Sequence, residues 1–460
     1  METHSLTKAF AKVIHEWQAR EPGVEETSRL LLIDGLAVAA AGAKEAGPSI
    51  MAGVARERRA EPVATVIGHD FATSAAQAAQ VNGMSMHVLD YEPMWNPPNH
   101  AVSPLLPALL AKAEQREREG APPQGALLLR AIAKGVEAQG RLRVASGQIE
   151  PQGLRFHPPG VVGPLAAALA CGELLGLDLE RLTMAVAIAG SCGAGIIGNI
   201  GSMTKALHCG NAAMRGLECA ELAAQGFTGD ADALGGPRGY GNAYFGATFD
   251  PSALTVPVAP PRILDPGMAW KLFPSQFATH FTITAALDCR KEISDPAAIE
   301  AVTLTTPAMS YVDRPRPATG LAGKFSFQYG VAASLLDGRL DMDSFSDTRR
   351  FSADMEDMLS RIELKQDETI SGRLDRMHVD VAVRLRDGRL VEKRCSAPDG
   401  SWSRRVGPER IKDKARSLLD RCLSASAAST FWRWADEDPA KLKVAELMNA
   451  VKKTTSVLQE

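Results

Sequence analysis

A loop rich in proline and aromatic residues, at 91–99, is flanked by side chains that could do chemistry. Asp90 precedes the loop, His100 ends it, and His87 lies three residues before Asp90. Carboxylates and imidazoles can exchange protons near neutral pH, so Asp90 and His100 are candidates for general acid–base catalysis. Ser103 followed by Pro104 predicts the start of a helix after the loop. A loop held between ordered elements is a common place for catalytic residues.

Five further patches place ionisable or polar side chains beside glycine or proline. They are RFHPPG with His157, TKALHCGNAA with Lys205 and His208, WKLFPSQFATH with Lys271, Gln276 and His280, SYVDRP with Tyr311 and Arg314, and KFSFQYG with Lys324 and Tyr329. Lys205 and His208 would share a face if a helix already begins there. Each residue also has an ordinary structural explanation, because a single histidine is usually a hydrogen-bonding group and a lysine is usually solvated. Their co-occurrence at glycine and proline junctions favours a site.

Other chemistries lack their sequence motifs. The seven cysteines are scattered without a CxxC pair, so neither a disulfide framework nor a zinc ribbon is predicted. HxH, HExxH and EF-hand patterns are absent, and a metal site built from distant histidines stays open but has no local support in the sequence. The glycine-rich residues 193–201 follow no strand pattern and precede no Walker lysine, and the GxSxG motif of serine hydrolases is missing. We therefore predict no metal and no nucleotide cofactor.

Composition limits the class of protein and its partners. A chain of 460 residues exceeds one ordinary core, so we expect two or three domains. A net charge of -3 with 23% charged residues argues against nucleic-acid and membrane partners. The N-terminus does not resemble a secretory signal, and we expect a cytoplasmic protein. The most apolar window, residues 184–200, is short for a membrane span and predicts a buried, closely packed helix.

Hydrophobic periodicity divides the chain into a helical part and a mixed part. The predicted helices span residues 5–19, 27–42, 74–83, 104–119, 127–144, 161–175, 179–189 and 211–225. The first 260 residues show no period-two alternation, and a proline-rich boundary follows at 256–267. Beyond it, residues 299–306 alternate as a strand, and Asp387-Gly388 between two alternating runs predicts a hairpin. Residues 407–458 return to helix.

The predicted fold class is therefore mainly α, with a large all-helical domain and a smaller α+β domain. The large domain takes in residues 1–265 together with 405–460. The smaller domain takes in residues 266–404.

The patches quoted above, in this order, resemble the motifs of the MmgE/PrpD family over about residues 5–400. That family includes 2-methylcitrate dehydratase, cis-aconitate decarboxylase and iminodisuccinate epimerase. The resemblance implies a helical domain completed by the C-terminal helices, a smaller α+β lid domain, and an active site in the cleft. It also implies a homodimer and catalysis without a metal or an organic cofactor.

The decarboxylase-like pattern of the family can be carried over residue by residue. Its functional positions coincide with Asp90, His100, His157, Lys205, Lys271 and Tyr311. The chain departs from that pattern in the substrate loop, where Met94 replaces a threonine and Glu92-Pro93 replaces paired aspartates, and at Gln276, which replaces a histidine. A lost hydroxyl and a lost imidazole would alter substrate contacts, so the pattern leaves cis-aconitate itself open as the substrate.

These matches imply roles for the individual side chains. We predict His100 and His157 as acid and base, Asp90 as the carboxylate that orients an imidazole and raises its pKa, and Lys205 and Tyr311 as further catalytic groups. The predicted substrate-binding residues are Lys271, His208, Gln276, Met94 and Arg155. Lysines and protonated histidines would hold the carboxylates of a citrate-like di- or tricarboxylic acid and stabilise a carbanion-like state.

Three functions are compatible with this pattern. The favoured one is a lyase that dehydrates or decarboxylates a small polycarboxylate. The second is an epimerase that removes a proton and returns it to the opposite face, as with iminodisuccinate. The third is a carboxylate-binding homologue without catalysis, since fold alone does not determine the reaction.

Overall fold

The computed structural model describes residues 5–149, 153–438, 441 and 443–456. The chain divides into two compact units. Unit 1 takes in Met1–Ile149, Gly153–Met268 and Gly407–Val457, and unit 2 takes in Glu150–Gln152, Ala269–Val406 and Leu458–Glu460.

The first part of unit 1 is a series of helices joined by loops. In chain order they are α1 (Leu6–Glu16), α2 (Val24–Gly42), α3 (Ala46–Glu57), α4 (Ala75–His87), α5 (Leu106–Arg118), α6 (Gly125–Ala145), α7 (Pro158–Leu175), α8 (Leu179–Ala189), α9 (Thr204–Ala224), α10 (Tyr240–Phe245) and α11 (Ser252–Thr255). The sequence pattern does not predict α3, because Gly47, Pro48 and Gly53 count against a helix. Pro48 lies in the first turn, where proline is tolerated.

Two short antiparallel ribbons interrupt the helices of unit 1. β1 (Ala64–Val66) pairs with β2 (Phe71–Thr73), and β3 (Met94–Trp95) pairs with β4 (Asn99–His100). The expectation of a wholly helical domain is therefore wrong at these two places. Strands of two or three residues are too short to show the period-two alternation by which strands are recognised.

Unit 2 combines helices with one four-stranded sheet. Its elements are α12 (Phe277–Arg290), β5 (Ile299–Thr306), α13 (Gly320–Gly323), α14 (Phe327–Asp337), α15 (Asp347–Arg350), α16 (Ala353–Ser360), β6 (Ile362–Gln366), β7 (Val379–Leu385) and β8 (Leu390–Cys395). The strand order is β6-β5-β7-β8, with β5 parallel to β6 and the other pairs antiparallel. The predicted strand at 299–306 and the predicted hairpin at Asp387-Gly388 are confirmed. Gly388 has a φ of 87°, which glycine adopts without strain.

The chain ends with α17 (Pro408–Cys422), α18 (Ala425–Ala435) and α19 (Val444–Ala450), all of which belong to unit 1. Short 3-10 turns occur at Ile197–Asn199, Gly246–Thr248, Pro296–Ala298 and Asp343–Phe345. The predicted fold class, mainly α with a smaller α+β part, is confirmed.

Helix α7 lies at the centre of unit 1 and packs against α6 and α9. Among the described residues it is long and apolar enough to cross a membrane by length and composition, but 89% of it is buried inside the protein. A core helix passes the same test, so this is weak evidence for a span. The close approach of α7 to α9 needs a glycine, because a Cβ on Gly216 would clash with Ala167 of α7.

The interpretation of residues 184–200 as one buried helix is wrong. Helix α8 ends at Ala189, and residues 191–201 form turns that are largely half-buried or exposed. Gly195 and Gly201 have positive φ values of 102° and 96°. Such a backbone is incompatible with a continuing right-handed helix.

Candidate active site

The loop singled out in the sequence joins α4 to the β3–β4 ribbon of unit 1. His87 is the last residue of α4, and Asp90 follows in a left-handed conformation with a φ of 51°. Residues with side chains larger than glycine adopt this conformation only when their surroundings hold them there. The ribbon then brings His100 back beside His87, with ring centroids 4.3 Å apart and nearly perpendicular planes.

Glu92 lies at the centre of this loop and is fully buried. Its Oε1 accepts a hydrogen bond from His87 Nδ1 at 2.6 Å and lies 3.3 Å from His100 Nδ1. Ser103 donates to the same carboxylate twice, from its hydroxyl at 2.6 Å and from its backbone N–H at 2.7 Å. Glu92 therefore ties together both histidines and the segment after the loop.

The bonds of Ser103 to Glu92 also overturn the prediction of a serine cap at this point. Helix α5 begins at Leu106 rather than at Pro104, and no side chain caps it. The hydroxyl of Ser103 is committed to Glu92. By contrast Asp178, predicted to cap α8, does so, since its Oδ1 accepts from the N–H of Arg181 at 2.9 Å.

Asp90 joins the loop to helix α9. One carboxylate oxygen lies 3.5 Å from His100 Nε2, and the other lies 3.2 Å from Lys205 Nζ. Since α9 begins at Thr204, Lys205 and His208 stand three residues apart on one helix, and both are buried. The helix begins seven residues before the predicted start at 211, so the condition is met and the two side chains share a face, as predicted.

His157 and His208 form a second imidazole pair in unit 1. His157 is the residue before α7, and its Nδ1 lies 3.3 Å from His208 Nδ1 on α9. The ring of His157 is centred 5.4 Å from His87 and 6.1 Å from His100. Four histidines from separate stretches of the chain are therefore brought into one buried cluster.

The glycine-rich loop at 193–201 supports this second pair. The carbonyl of Gly195 accepts a hydrogen bond from the backbone N–H of His157 at 2.8 Å. A Cβ on Gly195 would lie 2.8 Å from Cγ of His208, so the loop approaches the ring as closely as glycine permits. The glycines serve a close backbone contact with imidazoles, a role that their spacing does not reveal.

Burial lowers the pKa of three imidazoles of this cluster. It lowers the pKa of His100, although Glu92 and Asp90 act in the opposite direction. The pKa of His157 lies well below its usual range because of burial and the positive charge of Lys205, and the pKa of His208 is lowered for the same two reasons. Asp90 raises the pKa of His100, as predicted, but the loss of hydration on burial outweighs it, so the net shift is downward.

The cluster also has the composition of a possible cation site. The ligating atoms of His87, His100 and His157 lie within 4.8 Å of one another. Imidazole nitrogens bind zinc at about 2.0–2.1 Å, so all three rings would have to converge further around an ion. Lys205, whose positive charge acts on His100 and His157, opposes a cation there. The arrangement permits an ion without requiring one, and the predicted absence of a metal stays a prediction.

The predicted site residues of unit 2 form their own group. Gln276 precedes α12, where its side chain accepts from the N–H of Ala278 at 2.6 Å and donates to the hydroxyl of Tyr311 at 3.3 Å. Lys271 is buried and donates to the carbonyl of Ser275 at 3.1 Å. The backbone N–H of Gln276 donates to the carbonyl of Lys324 at 2.9 Å. Three separately quoted motifs of this unit thus meet.

Two remaining candidates lie near the histidines of unit 1 in the chain. Met94 is buried and pairs across the ribbon with His100. Arg155 is exposed, and its backbone carbonyl accepts from the N–H of Ile197 at 2.9 Å. Their predicted contacts with a substrate stay predictions.

Sequence reasoning missed His87 and Glu92 as members of the site. His87 is the last residue of α4 and stands five residues before Glu92, which lies in the loop that follows. In the sequence, Glu92 stands out only because Glu92-Pro93 replaces the paired aspartates of the family pattern. The signal available in the sequence was an acidic residue between two histidines. The hydrophobic periodicity of the neighbouring residues does not show that all three side chains point inward.

Comparison with known proteins identifies two family domains in the chain. The MmgE/PrpD N-terminal domain model matches residues 8–252, and the MmgE/PrpD C-terminal domain model matches residues 273–436. A cis-aconitate decarboxylase of Mus musculus is 32% identical over 442 residues, which cover 92% of this chain and 88% of the relative.

Two further relatives carry the same name. The human cis-aconitate decarboxylase is 31% identical over 436 residues, covering 92% of this chain and 90% of the relative. An Aspergillus terreus cis-aconitate decarboxylase is 28% identical over 206 residues, covering 44% of this chain and 42% of the relative. With both domain models matched in order and similarity along nearly its whole length, this chain belongs to the MmgE/PrpD family.

Proposed function

We propose that this chain is a lyase acting on a citrate-like acid, with decarboxylation of cis-aconitate or a close analogue as the first candidate. The observation that carries the proposal is the buried group formed by Asp90, His100, His157, Lys205 and His208. Its support from other proteins is the similarity, over 92% of the chain, to enzymes named cis-aconitate decarboxylase.

Lys205 is the group of this cluster that suits a substrate carboxylate. Its ammonium contacts Asp90 at 3.2 Å, and its side chain keeps 11% of its exposure. A substrate carboxylate beside it would share the ammonium with Asp90. Because water is largely excluded, this attraction is stronger than it would be at the surface.

The imidazoles would change protonation when the substrate binds. Burial and Lys205 favour the neutral form in the free protein. The negative charges of a polycarboxylate act in the opposite direction, since a nearby opposite charge favours the charged form. Binding would therefore draw a proton from solvent onto His100 or His157.

A decarboxylation that uses these groups is balanced in atoms and charge. The bond between a carboxylate carbon and its neighbouring carbon breaks, CO2 leaves, and the electron pair stays on the remaining conjugated carbon skeleton. Lys205 stabilises the negative charge of this carbanion-like state. The imidazolium transfers its proton to carbon and becomes neutral again. One proton is consumed for each CO2 released.

The same cluster would also support chemistry that begins with proton removal. A neutral imidazole can accept the proton next to a substrate carboxylate, after which loss of a hydroxyl group as water completes a dehydration. Return of a proton to the opposite face would complete an epimerisation. The names of the relatives favour decarboxylation over these two reactions.

A mass-resolved assay in heavy water separates the candidates. The purified protein is incubated with cis-aconitate, citrate, 2-methylcitrate and iminodisuccinate, and each acid is followed by mass spectrometry. The proposal predicts one product that has lost CO2 and gained one deuterium on carbon. Loss of water indicates a dehydratase, and hydrogen exchange at constant composition indicates an epimerase. Binding of an acid without any change in its mass would contradict the assignment of an enzyme.

A further inference from the structure

A buried lysine on helix α17 contacts the backbone of the loop at 91–99. Lys414 Nζ donates to the carbonyl of Tyr91 at 2.6 Å and lies 2.8 Å from a carboxylate oxygen of Asp34 on α2. It also lies 4.1 Å from the centre of the Tyr91 ring. The side chains of Lys414 and Asp34 are 5% and 0% exposed. The ammonium thus has three partners in the interior of unit 1.

Burying an ion pair of this kind costs free energy, because two charged groups lose their hydration. Burial lowers the pKa of Lys414 and raises the pKa of Asp34, because loss of hydration disfavours the charged form of each group. Well-packed apolar residues often replace such a pair without loss of stability. The bond to the Tyr91 carbonyl is what an apolar replacement would not supply.

The position of Tyr91 gives this bond its importance. Tyr91 stands between Asp90, which faces His100 and Lys205, and Glu92, which holds His87 and His100. Asp90 has a φ of 51°, a left-handed conformation that persists only where several contacts fix it. The side chain of Asp90 is fixed by α9 and the ribbon, and the following peptide carbonyl is fixed by Lys414.

We propose that Lys414, paired with Asp34, is a positioning residue that holds the Tyr91 carbonyl so that Asp90 and Glu92 present their carboxylates to the histidine cluster. The kinetic part of this proposal rests on the lyase function proposed above. The geometric part does not depend on it.

The test separates positioning from stability by comparing two ion pairs that each contain a buried lysine. Lys414→Met combined with Asp34→Asn removes the ion pair, leaves no unpaired charge, and deletes the bond to Tyr91. The matched control is Lys134→Met combined with Glu173→Gln. Lys134 is likewise buried, with its Nζ 2.8 Å from Glu173 and 2.9 Å from the carbonyl of His15, at the end of α1. Melting temperature, kcat and KM are measured for both double variants.

The proposal predicts a large kinetic effect at the first pair only. A catalytic group displaced by about 1 Å can cost about a hundredfold in rate, so we expect kcat to fall by about that factor in the Lys414 double variant, with KM within a few-fold of wild type. The control double variant should keep wild-type kcat whatever its melting temperature. Wild-type kcat in the Lys414 double variant, or an equal loss in both, would overturn the proposal.

A second measurement tests the positioning role of Lys414 even if the protein turns over none of the acids. In protein labelled with 15N-histidine, the Nδ1 proton that His87 shares with Glu92 should give a strongly downfield NMR signal, assigned by its loss in His87→Gln. We expect this signal to shift or broaden in the Lys414 double variant and to stay in place in the control. An unchanged signal in the Lys414 double variant would refute the positioning role independently of the assay for the lyase.

Discussion

Two carboxylates two positions apart in the sequence, Asp90 and Glu92, share one loop of unit 1 but have different surroundings. Glu92 is fully buried, and both of its oxygens accept hydrogen bonds from Ser103, one of them also from His87. Asp90 instead faces a lysine and the edge of an imidazole at longer distances of 3.2 and 3.5 Å. A carboxylate whose two oxygens accept several short hydrogen bonds holds structure, whereas one that faces a lysine and an imidazole at longer distances can take part in chemistry.

The histidines divide in the same way. His87, against Glu92, is 1% exposed, while His100 and His208 keep 8% and 7%. His157 lies between the two groups, with its ring 5.4 Å from both His87 and His208. We infer that the side formed by Glu92 and His87 is the scaffold. A substrate would react on the other side, which is formed by Asp90, His100, His157, Lys205 and His208.

Exchanging each carboxylate for its amide should separate the two sides. Asp90→Asn removes the charge that faces Lys205 and His100, and we expect the larger loss of kcat, by at least about tenfold. Glu92→Gln places an amide donor among the donors of His87 and Ser103, and its main effect should be a loss of about 1–3 kcal/mol in the free energy of unfolding. Steady-state kinetics and urea unfolding measure both. A greater loss of kcat in Glu92→Gln than in Asp90→Asn would reverse the assignment.

Acid should weaken the fold through the histidine cluster. The pKa of His157 is well below its ordinary value in the folded protein, whereas the unfolded chain titrates near about 6.5. Below that pH the unfolded state binds the proton more readily, so stability falls by up to about 1.4 kcal/mol for each pH unit per histidine kept neutral. Unfolding measured between pH 7 and pH 5 should show this loss, and His157→Asn should reduce it. Equal slopes in the two proteins would contradict the neutral, buried imidazole.

Much of the fold can be predicted from sequence because the signals are local. The strand at 299–306, the hairpin at Asp387-Gly388 and the cap at Asp178 each depend on a few neighbouring residues. The ribbons, helix α3 and the turns after Ala189 escape prediction because they are short or contain glycines with ambiguous meaning.

Prediction of the candidate site from sequence is limited in a different way. His100, Lys205 and His208 could be selected by type and context, but the direction of the pKa shift could not. The sequence places Asp90 near a histidine and says nothing of how completely both are removed from water. Glu92 and Lys414 likewise gain their importance from partners on other helices, as in the contact of Lys414 with Tyr91.

The central claim, that imidazoles of the buried cluster carry the proton, is tested most directly by turnover of His100→Asn and His157→Asn on the acid that the wild-type protein accepts. The matched control is His69→Asn, a half-buried histidine of unit 1 whose Nε2 lies 2.8 Å from the carbonyl of Ala43. We predict that kcat falls by about a hundred- to ten-thousandfold in at least one of the cluster variants and is unchanged in the control. Near-wild-type kcat in both cluster variants would contradict the account.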